Sequence, residues 1–254
     1  MARRATLIKQ VREGADHPVL LLDAGNTLFG QWVAVQSEGQ ALIDAMNVMG
    51  YDAMTVGMMD LMVGVDALRQ RAAEAAFPIL SSNLLDADRN PILPPYAILE
   101  RDGLRIGIIG VTEPEAAEEL AMRNITVHLL DPVETVQHYL PEVQEQADMV
   151  ILLSHLGLQG DQVLAGAIDG IDVIVGGRSR RLMQAPEVVG RTTIIQVGHS
   201  GEWLGKLDIE LASGEVSLNA SEILFMRPDV EDDPELAALV ERYKQQYPVP
   251  TRSH

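Results

Sequence analysis

The chain has 254 residues and a formal net charge of −18 at pH 7, from 19 basic and 37 acidic side chains. That balance argues against a nucleic-acid backbone or an anionic membrane surface as partner. Zero cysteines exclude disulfides and thiolate metal sites. At 47 % hydrophobic and 4 % aromatic, the chain can bury one large α/β domain or two small ones, with a core mostly of Leu, Ile, Val, Ala and Met. No run approaches the ~20 apolar residues of a membrane span. The first ten residues lack the long apolar stretch and small-residue cleavage site of a signal peptide.

In chain order, residues 3–14 read as a helix, with Leu7, Ile8 and Val11 on one face and Gly14 as the stop. Pro18 to Asp23 reads as a buried strand that runs into Ala24-Gly25-Asn26-Thr27. Residues 37–49 read as a helix, with Ser37 as N-cap and Gly50 as C-cap. Tyr51 to Gly57 is a strand and loop continuing as Met58-Met59-Asp60. Six of the eleven methionines fall between Met46 and Met62. The leading reading is that they fill gaps in the core; a partner-binding surface, or a soft-metal site of Met58, Met59 and His155, are the alternatives.

Helix Gly64 to Ala75 precedes a strand and loop at Phe77 to Asn83. Tyr96 to Glu100 and Leu104 to Val111 form a hairpin around Arg101-Asp102-Gly103. An acidic helix is expected near 114–122, and another helix over Pro132 to Gln146. The strand at 148–153 ends in Ser154-His155-Leu156-Gly157. A second apolar run, Asp172 to Val175, ends in Gly176-Gly177 and then Arg178, Arg180 and Arg181. This is an unexpected basic cluster in an acidic chain. Ile194 to Leu207 reads as two strands flanking a loop with His199, a surface histidine able to reach a pocket rim. A hairpin around Ser213-Gly214, an acidic linker at Asp229 to Asp233 and an amphipathic helix at Pro234 to Tyr247 complete the chain.

The loop blocks at Ala24 to Thr27, Tyr51 to Asp60, Phe77 to Asn83, Ser154 to Gly157 and Asp172 to Arg180 resemble, in the same order, those of the binuclear metallophosphoesterases, specifically the 5'-nucleotidase branch. The resemblance spans roughly residues 3–245. It implies an α/β fold: a metallophosphoesterase-like four-layer α/β/β/α sandwich of two mixed sheets, with the first strand absent or replaced. It implies a domain over 1–228, then an acidic linker and helix over 229–254. The family's second, nucleotide-binding domain is not found in the sequence. Relatives of this kind are often exported, so the expectation is a cytoplasmic protein or a trimmed chain.

What the resemblance implies for the site is a loss of ligands. Asn26 stands where the family has a metal-bridging aspartate. Met58 stands at a metal-binding asparagine and Met59 at the catalytic histidine. Arg178 and Arg180 replace two metal-binding histidines, and a guanidinium has no lone pair to give. The Asp-x-His pair of the first strand has no counterpart. Only His155 is kept.

The leading expectation is therefore a catalytically silent binding or structural subunit, with no metal cofactor and no catalytic residue. In that reading it holds an anion through Arg178, Arg180, His155 and His199. The alternative is a divergent phosphoesterase that hydrolyses phosphate esters without metal. The arginines have a competing role in internal pairing with Asp23 or Asp60. A protein partner or homo-oligomer is expected through Met46 to Met62 or through the sheet opened by the missing strand.

Overall fold

The computed structural model describes residues 1–212 and 214–250. Helix α1 (Ala2–Glu13) turns Ala5 and Ile8 into the core and stops at Gly14. Strand β1 is only Leu22–Asp23, shorter than the run from Pro18 suggests. It pairs with a neighbour on one side alone, and just before it the Leu21 N–H donates to the Asp52 carboxylate at 2.7 Å. The helix expected over 37–49 is α3 (Gln40–Met49), preceded by a short helix not expected from sequence, α2 (Trp32–Gln36). Gly39, at φ +83°, separates the two and takes the N-cap position expected for Ser37. Gly50 closes α3 in the left-handed region, as expected.

Next come β2 (Ala53–Thr55), α4 (Met58–Leu61), α5 (Val65–Glu74), β3 (Ile79–Leu80) and β4 (Leu84–Leu85). The hairpin β5 (Tyr96–Arg101) and β6 (Leu104–Val111) turns through Asp102 and Gly103, both at positive φ. It is followed by α6 (Ala116–Ala121), β7 (His128–Leu129) and α7 (Pro132–Gln146), the last capped by Asp131 with Pro132 in its first turn. The chain continues through β8 (Met149–Ser154), α8 (Leu158–Ala167), β9 (Val173–Gly176), β10 (Glu187–Val189) and β11 (Thr192–Ile195). A long ribbon of β12 (Trp203–Ala212) and β13 (Glu215–Phe225) precedes α9 (Pro234–Gln246). Ser213, expected in the ribbon's turn, lies outside the described residues.

Two sheets stack face to face. The smaller is parallel throughout, in the order β1-β2-β3. The larger runs β10-β11-β9-β8-β6-β5, with four parallel inner strands and antiparallel β10 and β5 at its edges. Ala53, Leu80, Ile108, Ile151, Leu153 and Val173 fill the space between the sheets. Because β8 and β9 are covered on both faces, they read in sequence as unbroken apolar runs. Helices α7 and α8 cover the outer face of the large sheet through Val136, Leu140, Val143 and Leu164. On the far side of the small sheet lie α1, α3, α5 and α9. The result is the expected α/β/β/α sandwich.

Helix α9 shares the core of α1 and α3: Leu236 and Leu239 are buried there, and the Tyr243 hydroxyl donates to Asp44 at 2.6 Å. Met46, Met49 and Met54 are also core residues, Met58 and Met62 pack half-buried against it, and Met59 is half-buried. No helix among the described residues is long and apolar enough to cross a membrane.

Candidate functional site

The parallel strands of both sheets end on the same side of the sandwich, where open α/β sheets place ligands. The loops after β1, β2, β6, β8, β9 and β11 meet there. Their contact is close enough to forbid side chains. A Cβ at Gly57 would lie 2.5 Å from Asn26 Oδ1 and 2.6 Å from His155 Nε2. One at Gly177 would lie 2.7 Å from both the Ala24 carbonyl oxygen and His155 Nδ1.

His155 sits at the centre of this packing and is 2 % exposed. Its Nδ1 is 2.5 Å from the Ala24 carbonyl oxygen, which can only accept. Nδ1 therefore carries the proton and Nε2 the lone pair. That Nε2 is buried with no partner. Burial, with a smaller contribution from the Arg178 charge, holds the imidazole pKa down at about 4, so the ring is neutral at pH 7.

Asp60 organises the loop that carries Asn26. Its carboxylate is fully buried and accepts backbone N–H bonds from Asn26 (2.6 Å), Thr27 (2.8 Å), Leu28 (2.7 Å) and Gly57 (2.9 Å). Burial still lifts its pKa to about 6. Asn26 adopts φ +61°, a conformation asparagine tolerates better than most residues. Its Oδ1 accepts the Met59 N–H at 2.8 Å, so the first turn of α4 is held by that amide.

Glu113 and Glu115, on the loop after β6, are the residues the sequence reading did not single out. Glu113 is 4 % exposed, and its Oε1 accepts the Met58 N–H at 3.1 Å. Its Oε2 is buried without a partner, and burial pushes the carboxyl pKa up to about 7. Glu115 is 69 % exposed and meets the Arg178 guanidinium at 3.3 Å. The one available signal was an acidic pair directly after a buried strand end, where its helix-opening role hid it.

Arg178 and Arg180 are both exposed on the loop after β9, at φ +64° and +55°. Arg178 also donates to the Leu156 carbonyl at 3.3 Å. The pairing with Asp23 or Asp60 considered from sequence does not form, because both acids are satisfied locally. Asp23 accepts from the Gly25 N–H and the Thr27 hydroxyl, and Asp60 from its four amides. Among the described residues Arg180 has no carboxylate within ion-pair distance. His199 is exposed on its loop, with Nδ1 2.8 Å from the Ser200 hydroxyl. The structure thus brings Asn26, Met58, Met59 and His155 into one packed unit, with Arg178 at its edge. Among the described residues, neither Arg180 nor His199 hydrogen-bonds or ion-pairs with that unit.

A buried polar chain fixes the strand ends beneath the mouth. Ser154 Oγ donates to Asp161 at 2.5 Å, Gln196 Nε2 donates to the same carboxylate at 2.7 Å, and the Ser179 hydroxyl donates to Gln196 Oε1. It ties β8, α8, β11 and the arginine loop together. The pKa of Asp161 rises to about 6 on burial. As donors for a cation, the residues here are a poor set. His155 offers one lone pair and Glu113 one unpartnered carboxylate oxygen, Asn26 Oδ1 is committed to a backbone amide, and Arg178 and Arg180 are themselves cations. No group of three His, Cys, Asp or Glu side chains able to hold a metal ion occurs among the described residues.

Known proteins supply the remaining context. No protein-family model matches the chain. It is 30 % identical to the trifunctional nucleotide phosphoesterase YfkN of Bacillus subtilis, over 96 % of this chain and 19 % of that protein. It is also 30 % identical to the 5'-nucleotidase of Bos taurus, over 96 % of this chain and 47 % of the relative. The chain thus spans less than half the length of these curated relatives. The crystal structure of the 5'-nucleotidase precursor from Thermus thermophilus superposes with a TM-score of 0.87 at 31 % identity, covering 96 % of this chain and 52 % of that one. The calcineurin-like phosphoesterase YfkN structure from Bacillus subtilis shares the fold, with a TM-score of 0.82 at 24 % identity, over 97 % of this chain and 89 % of that one. Over 96 % of its length the chain is similar in sequence to 5'-nucleotidases and to a calcineurin-like phosphoesterase, and solved structures of those proteins share its fold.

Proposed function

We propose that this domain is a catalytically silent member of its family, a binding subunit that holds a phosphate-like anion at Arg178 and Arg180. The observation that carries the reading is the donor set at the strand ends. Binuclear hydrolysis requires two cations to activate water and neutralise phosphoryl oxygens. The residues present do not fit such a pair: His155 supplies a single lone pair, Glu113 a single unpartnered carboxylate oxygen, and the cation Arg178 lies at the edge of the site.

The anion half of the proposal rests on the partners of Arg178. Its one ion-pair carboxylate among the described residues, Glu115, is largely exposed, and such surface pairs contribute ~0–1 kcal/mol. An incoming phosphate can displace it. The guanidinium fork then matches two oxygens, each charge-assisted contact contributing about 1.5–3 kcal/mol. The N-terminus of α8 lies alongside, its Leu158 N–H donating to Ser179 Oγ at 3.4 Å, and adds a favourable dipole. His155, neutral and sealed beneath, positions the Ala24 loop.

Two measurements test this. With p-nitrophenyl phosphate, turnover should stay at background with or without manganese. Manganese-dependent turnover that disappears in His155→Ala would overturn the reading in favour of a divergent phosphoesterase. For a millimolar site, 10 mM phosphate should stabilise the fold by about 1.4 kcal/mol, raising the melting temperature by about 3–5 °C. Arg178→Ala should abolish that gain. A phosphate effect that survives the substitution would remove Arg178 from the site.

A further inference from the structure

We propose that the cavity between the first turn of α1 and the Trp203–Phe225 end of the β12–β13 ribbon binds a small aromatic monocarboxylate. The cavity has a volume of about 430 Å³, within the ~300–1,000 Å³ range of small-molecule sites. None of the side chains placed at the strand-end site lines it. Arg4 forms its cationic side, and Trp203, Phe225 and Met226 its apolar side.

Arg4 points to an anion. In a chain of net charge −18, it has no carboxylate within ion-pair distance among the described residues. Asp23, whose charge acts on it, is bonded to its own loop. The guanidinium donates from Nη1 to the Tyr51 hydroxyl at 3.3 Å and from Nη2 to the Gly201 carbonyl at 3.1 Å, both neutral acceptors. Its Nε–H is buried with no partner. A guanidinium has five N–H groups, so this one keeps donors for an incoming oxyanion. Nη2 lies so close over Gly201 that the cavity wall has no room for a Cβ there. The first turn of α1 adds to the same field: it carries neither an acidic residue nor a side-chain cap, so its dipole is uncompensated.

The rest of the lining selects the ligand. Trp203 and Phe225 are cross-strand neighbours with ring centroids 4.6 Å apart, and Phe225 is 44 % exposed. An open aromatic pair beside a cation suits a flat ring that carries an anionic group. Glu202 and Asp232 are exposed in the same lining, and Arg3 meets Asp232 at 3.8 Å. Two acids beside one unneutralised guanidinium favour the single charge of a carboxylate over the double charge of a phosphate ester. The planar fork of Arg4 also matches a carboxylate. A polypeptide segment fits less well, because the backbone of the loop wall is already paired. The Gly201 carbonyl accepts from Arg4, the Glu202 carbonyl accepts the Met226 N–H at 3.0 Å, and the Glu202 N–H donates to the His199 carbonyl at 3.4 Å. A segment seated there would bring N–H and C=O groups that this wall leaves unpaired.

The test uses the whole protein labelled with nitrogen-15, whose two indole N–H signals come from Trp32 and Trp203 and are assigned with Trp32→Phe. Added 2-naphthoate should shift the Trp203 signal saturably, with a Kd below about 1 mM, and leave the Trp32 signal in place. The neutral isostere 2-naphthamide should bind the unaltered protein at least tenfold more weakly. Arg4→Met should weaken naphthoate binding at least tenfold, and Arg4→Lys should weaken it less. Excess inorganic phosphate should not displace naphthoate, and Nα-acetylation of Met1 should leave its affinity within about twofold. Several results overturn the proposal: no shift at Trp203, equal binding of the naphthamide, or binding that survives Arg4→Met. Displacement by phosphate would overturn the carboxylate assignment, and loss of binding on acetylation would give the anion to the terminal amine instead of Arg4.

Discussion

Asp60→Ala is expected to destabilise the domain by about 4 kcal/mol or more, and to lower its melting temperature by roughly 8–16 °C. One carboxylate accepts four backbone N–H groups, from Asn26, Thr27, Leu28 and Gly57, in a fully buried position. An amide left buried without an acceptor costs about 1–3 kcal/mol, so the loss of four acceptors exceeds most single core truncations. Asp60→Asn should be nearly as damaging, because one of its two terminal atoms becomes a donor facing other donors. Urea denaturation of both variants measures the effect. A loss below about 1 kcal/mol would mean that the 24–28 loop reopens and takes its hydrogen bonds from water. The carboxylate at this position is thus tied to loop closure: it fixes the segment that presents Asn26.

The elements legible in the sequence are those whose signals are local. Helix α7 carries Asp131 as cap and Pro132 in its first turn, and its observed span is the expected one. The β5–β6 hairpin shows its turn as Asp102-Gly103, and β8 and β9 read as apolar runs because sheets and helices bury them on both faces. Helix α8 was not legible. Its sequence, LQGDQVLAGA, contains two glycines and little amphipathic pattern, so propensity disfavours it. Burial of Leu164 and Ala165 and the buried Asp161 hold it in place. The shortening of β1 was hidden for a different reason: strand length depends on partners, and this strand has one.

At the site, the sequence placed the strand-end loops correctly but not their pairing. Asp23 and Asp60 were plausible partners for Arg178 because they are acidic and on adjacent loops. Sequence carries no record that both already serve as acceptors for their own loops. The real partner, Glu115, and the orphaned Glu113 lie after β6, in a stretch whose acids also suit the first turn of a helix. Distinguishing a helix-opening glutamate from a buried one needs the tertiary contact of Glu113 with the first turn of α4.

Those buried acids also set the response to pH. Asp60, Asp161 and Glu113 have folded pKa values of about 6, 6 and 7, raised mainly by burial. Unfolded carboxyls titrate near 4. Between about pH 4 and 7 the folded state therefore holds more protons at these groups, and their contribution to stability is present at low pH and lost as pH rises through 6 and 7. His155 works in the opposite sense. Its pKa falls to about 4 in the fold, so its contribution is present at neutral pH and lost as pH falls from about 6.5 towards 4. Three acids outweigh one imidazole, and lowering the pH also relieves a net charge of −18. Stability should thus increase by roughly 1–3 kcal/mol between pH 7 and pH 5.5, read from urea midpoints. Glu113→Gln retains an acceptor for the Met58 N–H and removes the ionisation, so it should stabilise the domain near pH 7.5 by about 1 kcal/mol and flatten the upper part of the curve. A midpoint that instead falls towards pH 5.5 would mean that charging His155, sealed against the Ala24 carbonyl, dominates the titration of the fold.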